Sequence, residues 1–104
     1  VVAMKLRYNR RATERYTAIL VYLTEQNSAA ALRFFNKAEA ALARLQRFPT
    51  LGPYTREYGH LAVREVIIEP YRFFYVIDEP RRTVWVIDVW HGAQLPDEPQ
   101  LPAP

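Results

Sequence analysis

The sequence contains no cysteine, only three glycines and a single methionine among 104 residues. The absence of cysteine excludes a disulfide scaffold and any cysteine-ligated metal site. The two histidines, His60 and His91, are far apart and lack the i, i+4 spacing of a helical zinc pair. So few glycines leave no room for a glycine-rich phosphate loop. The sequence therefore predicts neither a metal site nor a cofactor.

Long apolar runs are also lacking. The longest, residues 84–89, is interrupted by Asp88 and is far too short to cross a bilayer. The first six residues lack the apolar stretch of a signal peptide. We therefore expect a cytoplasmic protein without a membrane partner.

The chain is rich in core-forming residues. Half of it is hydrophobic and 13% is aromatic, which favours one packed domain over a disordered chain. We expect this domain to span residues 1–94. A proline-rich tail follows at 95–104, which we expect to be extended and weakly ordered. The formal net charge of +3 suits an acidic partner, either nucleic acid or protein, although it also serves solubility.

The first half of the chain predicts a strand and two helices. Residues 4–8 alternate apolar and polar side chains, as a half-buried strand does. From Arg10, apolar residues recur at helical spacing, and we expect Asn27 to end this helix in the left-handed conformation. Ser28 is the expected N-cap of a second helix. Its expected apolar stripe comprises Ala31, Phe35, Ala38, Leu42 and Leu45.

The second half predicts three strands, at residues 63–69, 71–78 and 83–90, with a hairpin loop at 79–82. The fold class is therefore α+β, a two-layer βααβββ domain. An antiparallel helix hairpin packs on one face of a mainly antiparallel sheet, which the first strand joins. The other face is expected to be partly open. Strand parity places Arg72 on the same face as Phe74, opposite Tyr75.

This order of elements resembles the RelE/ParE superfamily of toxins from type II toxin–antitoxin systems. Pro53 stands where the family usually has arginine. Five short sequence segments within residues 4–94 carry the resemblance: residues 28–35, Leu45-Gln-Arg-Phe-Pro49 with Leu51-Gly52, Val63-Arg64-Glu65, Tyr71-Arg72-Phe-Phe-Tyr75 and Val89-Trp90-His91-Gly92.

One branch that the resemblance implies is a ribosome-dependent messenger-RNA endonuclease. RNA cleavage needs a base, a cation facing the phosphate and an acid for the leaving oxygen. Arg64 and Arg72 are the candidate cations, and His91 is the candidate acid. The plainer interpretation pairs Arg72 with an acidic residue and lets His91 cap its strand.

The other branch is ParE-like, and it is favoured because residues typical of the nuclease branch are absent from this sequence. The segment after His91 lacks the tyrosine that RelE-type nucleases usually carry near the C-terminus, and Arg64 is the only basic residue of the second strand. The resemblance then implies a non-enzymatic inhibitor of DNA gyrase. A cognate antitoxin would neutralise it in a hetero-oligomer. The alternatives are the nuclease, with the ribosome and messenger RNA as partners, and a family member without toxicity.

Five residues are the candidates for contact with a partner: Arg64, Arg72, Tyr75, Trp90 and His91. The arginines of the first helix are expected to form a solvated face instead. They are Arg10, Arg11 and Arg15.

Overall fold

The computed structural model describes residues 2–92, 94 and 98–102. Of the predicted tail, residues 95–97, 103 and 104 lie outside the described residues. The elements in chain order are strand β1 (Lys5–Tyr8), helix α1 (Arg10–Gln26), helix α2 (Ser28–Arg47), a 3₁₀ turn (Gly59–Leu61) and strands β2 (Arg64–Ile68), β3 (Tyr71–Asp78) and β4 (Thr83–His91).

The four strands form one sheet in the order β1-β4-β3-β2. Strand β1 runs parallel to β4, and the other two pairings are antiparallel. The predicted α+β class, the meander and the entry of the first strand into the same sheet are confirmed. Among the described residues, neither helix combines the length and the apolar character needed to cross a bilayer.

Asn27 joins the two helices in a conformation that differs from the predicted one. Its backbone is extended, with φ −167°, so the expected left-handed end of α1 is wrong. Its backbone N–H donates to the carbonyl of Leu23, and its side-chain oxygen accepts from the N–H of Ala30 at 3.0 Å. Asn27 is therefore the N-cap of α2, a role that had been expected for Ser28, because one amide oxygen satisfies a free N–H of the first turn.

The helices bury their apolar stripes on one face of the sheet. The stripe of α2 contains Phe34 and not the expected Phe35, which is 39% exposed. Phe34 packs edge-on against Tyr71 with 5.5 Å between the ring centroids, and Tyr16 packs in the same way on Phe73 at 5.3 Å. Phe34 fits the 3.6-residue period of the stripe as well as Phe35 does. The contact with Tyr71 decides which of the two is buried.

The opposite face of the sheet is more covered than expected. Val63, Phe74, Val76 and Ile87 form a second buried apolar cluster there, and the loop before β2 packs Tyr58 against it. Residues 100–102 line a groove beside Trp85 on the same face. This face is therefore a second small core, and not a bare platform for a partner.

A bulge in β4 sets the parity of its last residues. Phe74 pairs with Asp88 while Tyr75 pairs with Val86, so Ile87 is an extra residue in β4. Across the bulge, Trp90 lies opposite Arg72 and His91 lies opposite Tyr71. Arg72 and Phe74 share a face as predicted, because parity within a strand is independent of the bulge in its neighbour.

Candidate functional site

Arg72 lies on the face of the sheet away from the helices, clamped between two carboxylates. Its Nε and Nη2 donate to Glu65 at 3.0 and 2.8 Å, and its Nη1 and Nη2 donate to Glu57 at 3.0 and 2.8 Å. The side chain is only 12% exposed, and its guanidinium lies 4.9 Å from the centroid of the Phe74 ring. Each of its three nitrogens thus donates to a carboxylate, and the cluster carries one more negative charge than positive.

The hydrogen bonds of this cluster shift the proton affinity of its members. Hydrogen bonds from Arg72 hold the pKa of Glu57 below its ordinary value, against the opposing effect of burial. Glu57 and Glu65 together raise the pKa of Arg72, which stays charged at any physiological pH. A groove of ≈ 620 Å³ opens beside the cluster, lined by Pro53, Tyr54, Arg56, Glu57, Glu65, Arg72, Gly92 and Gln94.

Arg64 is turned toward the loop that follows α2. Its Nη1 donates to the carbonyl of Gly52 at 2.7 Å and to that of Thr50 at 3.3 Å. The guanidinium also lies 4.1 Å from the centroid of the Tyr54 ring, a cation–π contact. Arg64 pairs with Tyr75 across the sheet, so it lies on the opposite face from Arg72. Its main contacts therefore support a loop.

Tyr75, a candidate for partner contact, is a core residue. Its side chain is fully buried, and its hydroxyl donates to the carbonyl of Pro49 at 2.7 Å. The same hydroxyl accepts from the N–H of Gly52 at 2.9 Å. Burial raises the pKa of Tyr75. The expectation that it contacts a partner is corrected, because the phenol is committed to the loop under α2 and no part of it reaches the surface.

His91 lies at the exposed end of β4, on the face opposite Arg72. Its ring meets Tyr71 edge-on at 5.7 Å between centroids, and its backbone N–H donates to the side-chain oxygen of Gln94 at 3.2 Å. The structure therefore does not gather Arg64, Arg72 and His91 into one site. The base, cation and acid that RNA cleavage needs do not converge through these three side chains.

Asp88 belongs to this region although it was not among the candidate residues. Although only 2% of its side chain is exposed, it accepts from Arg15 at 2.6 Å, from the backbone N–H of Val89 at 2.8 Å and from the indole N–H of Trp90 at 2.9 Å. Arg11 adds an ion pair at 3.5 Å. The available signal was an aspartate inside the apolar run 84–89, since a buried charge requires partners.

The arginines of α1 correct another expectation. Arg10 is solvated and pairs with Glu14, but Arg11 and Arg15 are mostly covered and both pair with Asp88. Arg15 also stacks on Trp90, with 4.4 Å from its guanidinium carbon to the ring centroid. The cluster of two arginines and one aspartate has a net charge of +1.

Next to this cluster is a small pocket with aromatic and basic walls. It has a volume of ≈ 270 Å³ and is lined by Arg15, Ala18, Ile19, Tyr71, Val89, Trp90, His91 and Gln94. Tyrosine, tryptophan and arginine are the side chains that most often anchor protein interfaces. Among the described residues, no group of three or more His, Asp or Glu side chains could hold a metal ion.

Comparison with known proteins identifies the family. The model of the ParE toxin of the type II toxin–antitoxin system, parDE, matches residues 6–96. A chain in the crystal structure of the toxin–antitoxin complex RelBE2 from Mycobacterium tuberculosis is similar, with a TM-score of 0.56 and 26% identity over 90% of this chain and 97% of that chain. No curated protein matches the sequence significantly. The chain belongs to the ParE toxin family of type II toxin–antitoxin systems, within the RelE/ParE superfamily.

Proposed function

We propose that the protein inhibits DNA gyrase by binding to it, without cleaving RNA, and that a cognate antitoxin neutralises it. The observation that carries the proposal is the pairing of Arg72 with two carboxylates. Its three guanidinium nitrogens already donate to Glu57 and Glu65. A phosphate would have to displace two carboxylates that repel it.

The other candidate residues support the same proposal. Arg64 donates to two loop carbonyls, and His91 lies on the opposite face from Arg72. A nuclease needs its cation and its acid around one phosphate. A protein that acts by binding needs no such convergence.

The surface that we assign to gyrase is the pocket between α1 and the end of β4. Trp90 and Tyr71 form its aromatic walls, with His91 at its rim. Asp88 holds the indole of Trp90 from one side while Arg15 stacks on its ring. An aromatic side chain fixed in this way loses little conformational entropy on binding, which favours an interface anchor.

The antitoxin is proposed from the relatives and from charge. RelBE2 is a toxin–antitoxin complex, and the net charge of +3 on this chain suits an acidic segment that folds as it binds. The complex would be a hetero-oligomer in the cytoplasm.

The test is supercoiling by DNA gyrase in the presence of the purified toxin. We expect inhibition at micromolar toxin, and at least a tenfold loss of potency for Trp90→Ala (about 1.4 kcal/mol). The matched control is Trp85→Ala, which removes the other tryptophan and lies outside the pocket. Unaffected supercoiling at micromolar toxin would reject gyrase as the target.

The ribosome-dependent nuclease is tested with the same preparation. Cleavage of messenger RNA on ribosomes that is lost in His91→Ala and Arg72→Ala would replace the gyrase proposal. Normal growth of a bacterial host after induction would instead favour a family member without toxicity.

A further inference from the structure

The net positive charge of the chain is concentrated on helix α2. This helix has four basic residues, Arg33, Lys37, Arg44 and Arg47, and one acidic residue, Glu39. Its net charge, four minus one, is +3 and equals the formal net charge of the whole chain. Outside α2, acidic and basic residues balance.

The four cations of α2 form a stripe on its solvent side. At about 100° per residue, Arg33, Lys37 and Arg44 fall within an arc of about 40°, and Arg47 extends it to about 80°. All four side chains are exposed. The stripe is about 21 Å long at a rise of 1.5 Å per residue. Glu39 lies elsewhere, on the side that meets α1, where it accepts from the Tyr16 hydroxyl at 3.0 Å.

None of the four cations forms an ion pair with a residue in the part of the chain that the structure describes. This separates them from the arginines of α1, β3 and the β3–β4 hairpin, each of which faces a carboxylate. Arg44 and Arg47 lie in the last turn of α2, where cations favourably meet the helix dipole. Arg33 and Lys37 have no such role, because they lie in the first half of the helix.

We propose that this stripe, Arg33, Lys37, Arg44 and Arg47, binds the phosphodiester backbone of duplex DNA. One strand of a duplex places a phosphate about every 3.4 Å along the axis, so the stripe spans about six phosphates. Three of the four cations are arginines, whose planar fork matches two phosphate oxygens. Ala40 lies between the cations on the same arc and lets the backbone approach closely.

The composition of the stripe favours duplex over single-stranded nucleic acid. Binding of unpaired bases relies on aromatic side chains as stacking platforms. The two aromatic residues of α2 lie outside the arc, because Phe34 is buried in the core and Phe35 is about 200° from Arg33 around the helix axis. Contacts confined to phosphates carry no sequence information, so the binding is independent of sequence.

The inference deepens the proposed function, since gyrase holds duplex DNA and the stripe would add a contact to that DNA. It does not require gyrase, however, and is tested without it. The probe is a fluorescein-labelled DNA duplex of random sequence, and the readout is fluorescence anisotropy with the full-length protein. Titrations at several salt concentrations give the slope of log affinity against log salt.

We expect a slope near −3.6, because each of four phosphate contacts contributes about −0.9. The affinity should fall roughly 100-fold between about 50 and 200 mM salt. The double variant Arg33→Gln/Lys37→Gln should reduce the slope by about 1.8 and weaken binding at low salt at least tenfold. Glutamine keeps the helix propensity of both positions, and circular dichroism checks that the fold is retained.

The matched control is Arg10→Gln/Arg81→Gln. It lowers the net charge by the same amount, but both arginines are already paired with carboxylates. The control should keep the slope of the parent protein. The proposal is overturned if duplex DNA is not bound at low salt, or if both double variants behave alike.

Two competitors separate DNA from the other polyanions. A duplex RNA of the same sequence or polyglutamate that binds more tightly than DNA would also overturn the proposal. If the unmodified protein binds duplex DNA but does not inhibit gyrase, the proposed function alone is contradicted. If it inhibits gyrase but does not bind duplex DNA, this inference alone is contradicted.

Discussion

Arg15 on helix α1 donates a hydrogen bond of 2.6 Å to Asp88 on strand β4, across 73 positions of sequence. The same carboxylate holds the indole of Trp90, and the guanidinium of Arg15 stacks on that indole. One buried charge thus joins the first helix to the last strand and orients the aromatic wall of the proposed gyrase surface. The hydrogen bonds and ion pairs from these partners stabilise the carboxylate, which offsets the cost of burying it.

Removing the charge of Asp88 should destabilise the protein. Asp88→Asn removes the carboxylate that Arg11 and Arg15 share, and because both arginines keep some access to water we expect a loss of about 2 kcal/mol in the free energy of unfolding. Urea denaturation followed by tryptophan fluorescence measures it. Glu14→Gln breaks an exposed pair and should cost less than about 0.5 kcal/mol. Equal effects of the two changes would contradict the assigned role.

The hydroxyl of Tyr75 should matter for stability and not for partner binding. Tyr75→Phe keeps the ring but leaves the Pro49 carbonyl and the Gly52 N–H without their partner, so we expect a loss of about 1–3 kcal/mol. Thermal or urea unfolding measures the loss. Toxin potency per folded molecule should not change. A selective loss of potency at unchanged stability would restore Tyr75 as a contact residue.

Gly52 should tolerate no side chain. A Cβ at this position would overlap the backbone carbonyl oxygen of Glu65 and lie 2.8 Å from the Tyr75 hydroxyl. Since a backbone atom cannot move aside cheaply, Gly52→Ala should cost more than about 2 kcal/mol. Gly92→Ala is the comparison, because its nearest contact is a looser 3.1 Å to the Pro70 carbonyl. A smaller loss for Gly52→Ala than for Gly92→Ala would contradict the close approach.

The pair of Arg72 and Glu57 should make stability depend on pH. The folded pKa of Glu57 is lowered by Arg72, so its contribution is complete above the ordinary value of 4.5 and is lost as the pH falls through the lowered folded value. We expect Glu57→Gln to cost about 1 kcal/mol at neutral pH. The difference from the parent protein should shrink in acid.

Unfolding by urea at neutral pH and well below pH 4.5 measures this change. Glu79→Gln serves as the control, since Glu79 is 69% exposed and lies 3.6 Å from Arg82. Its effect should be small at both pH values. A constant cost of Glu57→Gln across the range would rule out the ion pair as its origin.

The tail should be separable from the domain. Two hydrogen bonds from the domain reach its described part: Arg11 donates to the Glu98 carbonyl at 3.1 Å, and Asn9 donates to the Gln100 carbonyl at 3.2 Å. Truncation after Gln94 should therefore lower the free energy of unfolding by less than about 1 kcal/mol. A loss of several kcal/mol would mean that residues 95–104 belong to the domain.

The sequence by itself determined the order of the elements, the α+β class and the faces of the regular strand β3, but not those of β4, whose bulge shifts its last residues. These properties follow from local periods, 3.6 residues for a helix and two for a strand, and from loops too short to allow other connections. Arg72 could be placed with Phe74 because parity needs no knowledge of the neighbouring strand. The family resemblance also rested on short sequence segments, so it did not depend on tertiary contacts.

Only the tertiary structure decided what each functional candidate touches. Arg72 meets Glu57 because the loop before β2 lies over the sheet, and Asp88 meets Arg15 because α1 packs beside β4. The choice of Phe34 over Phe35 depended on where Tyr71 lies across the layer. The energy of a buried charge or ring depends on partners far away in sequence, and no local pattern contains that information.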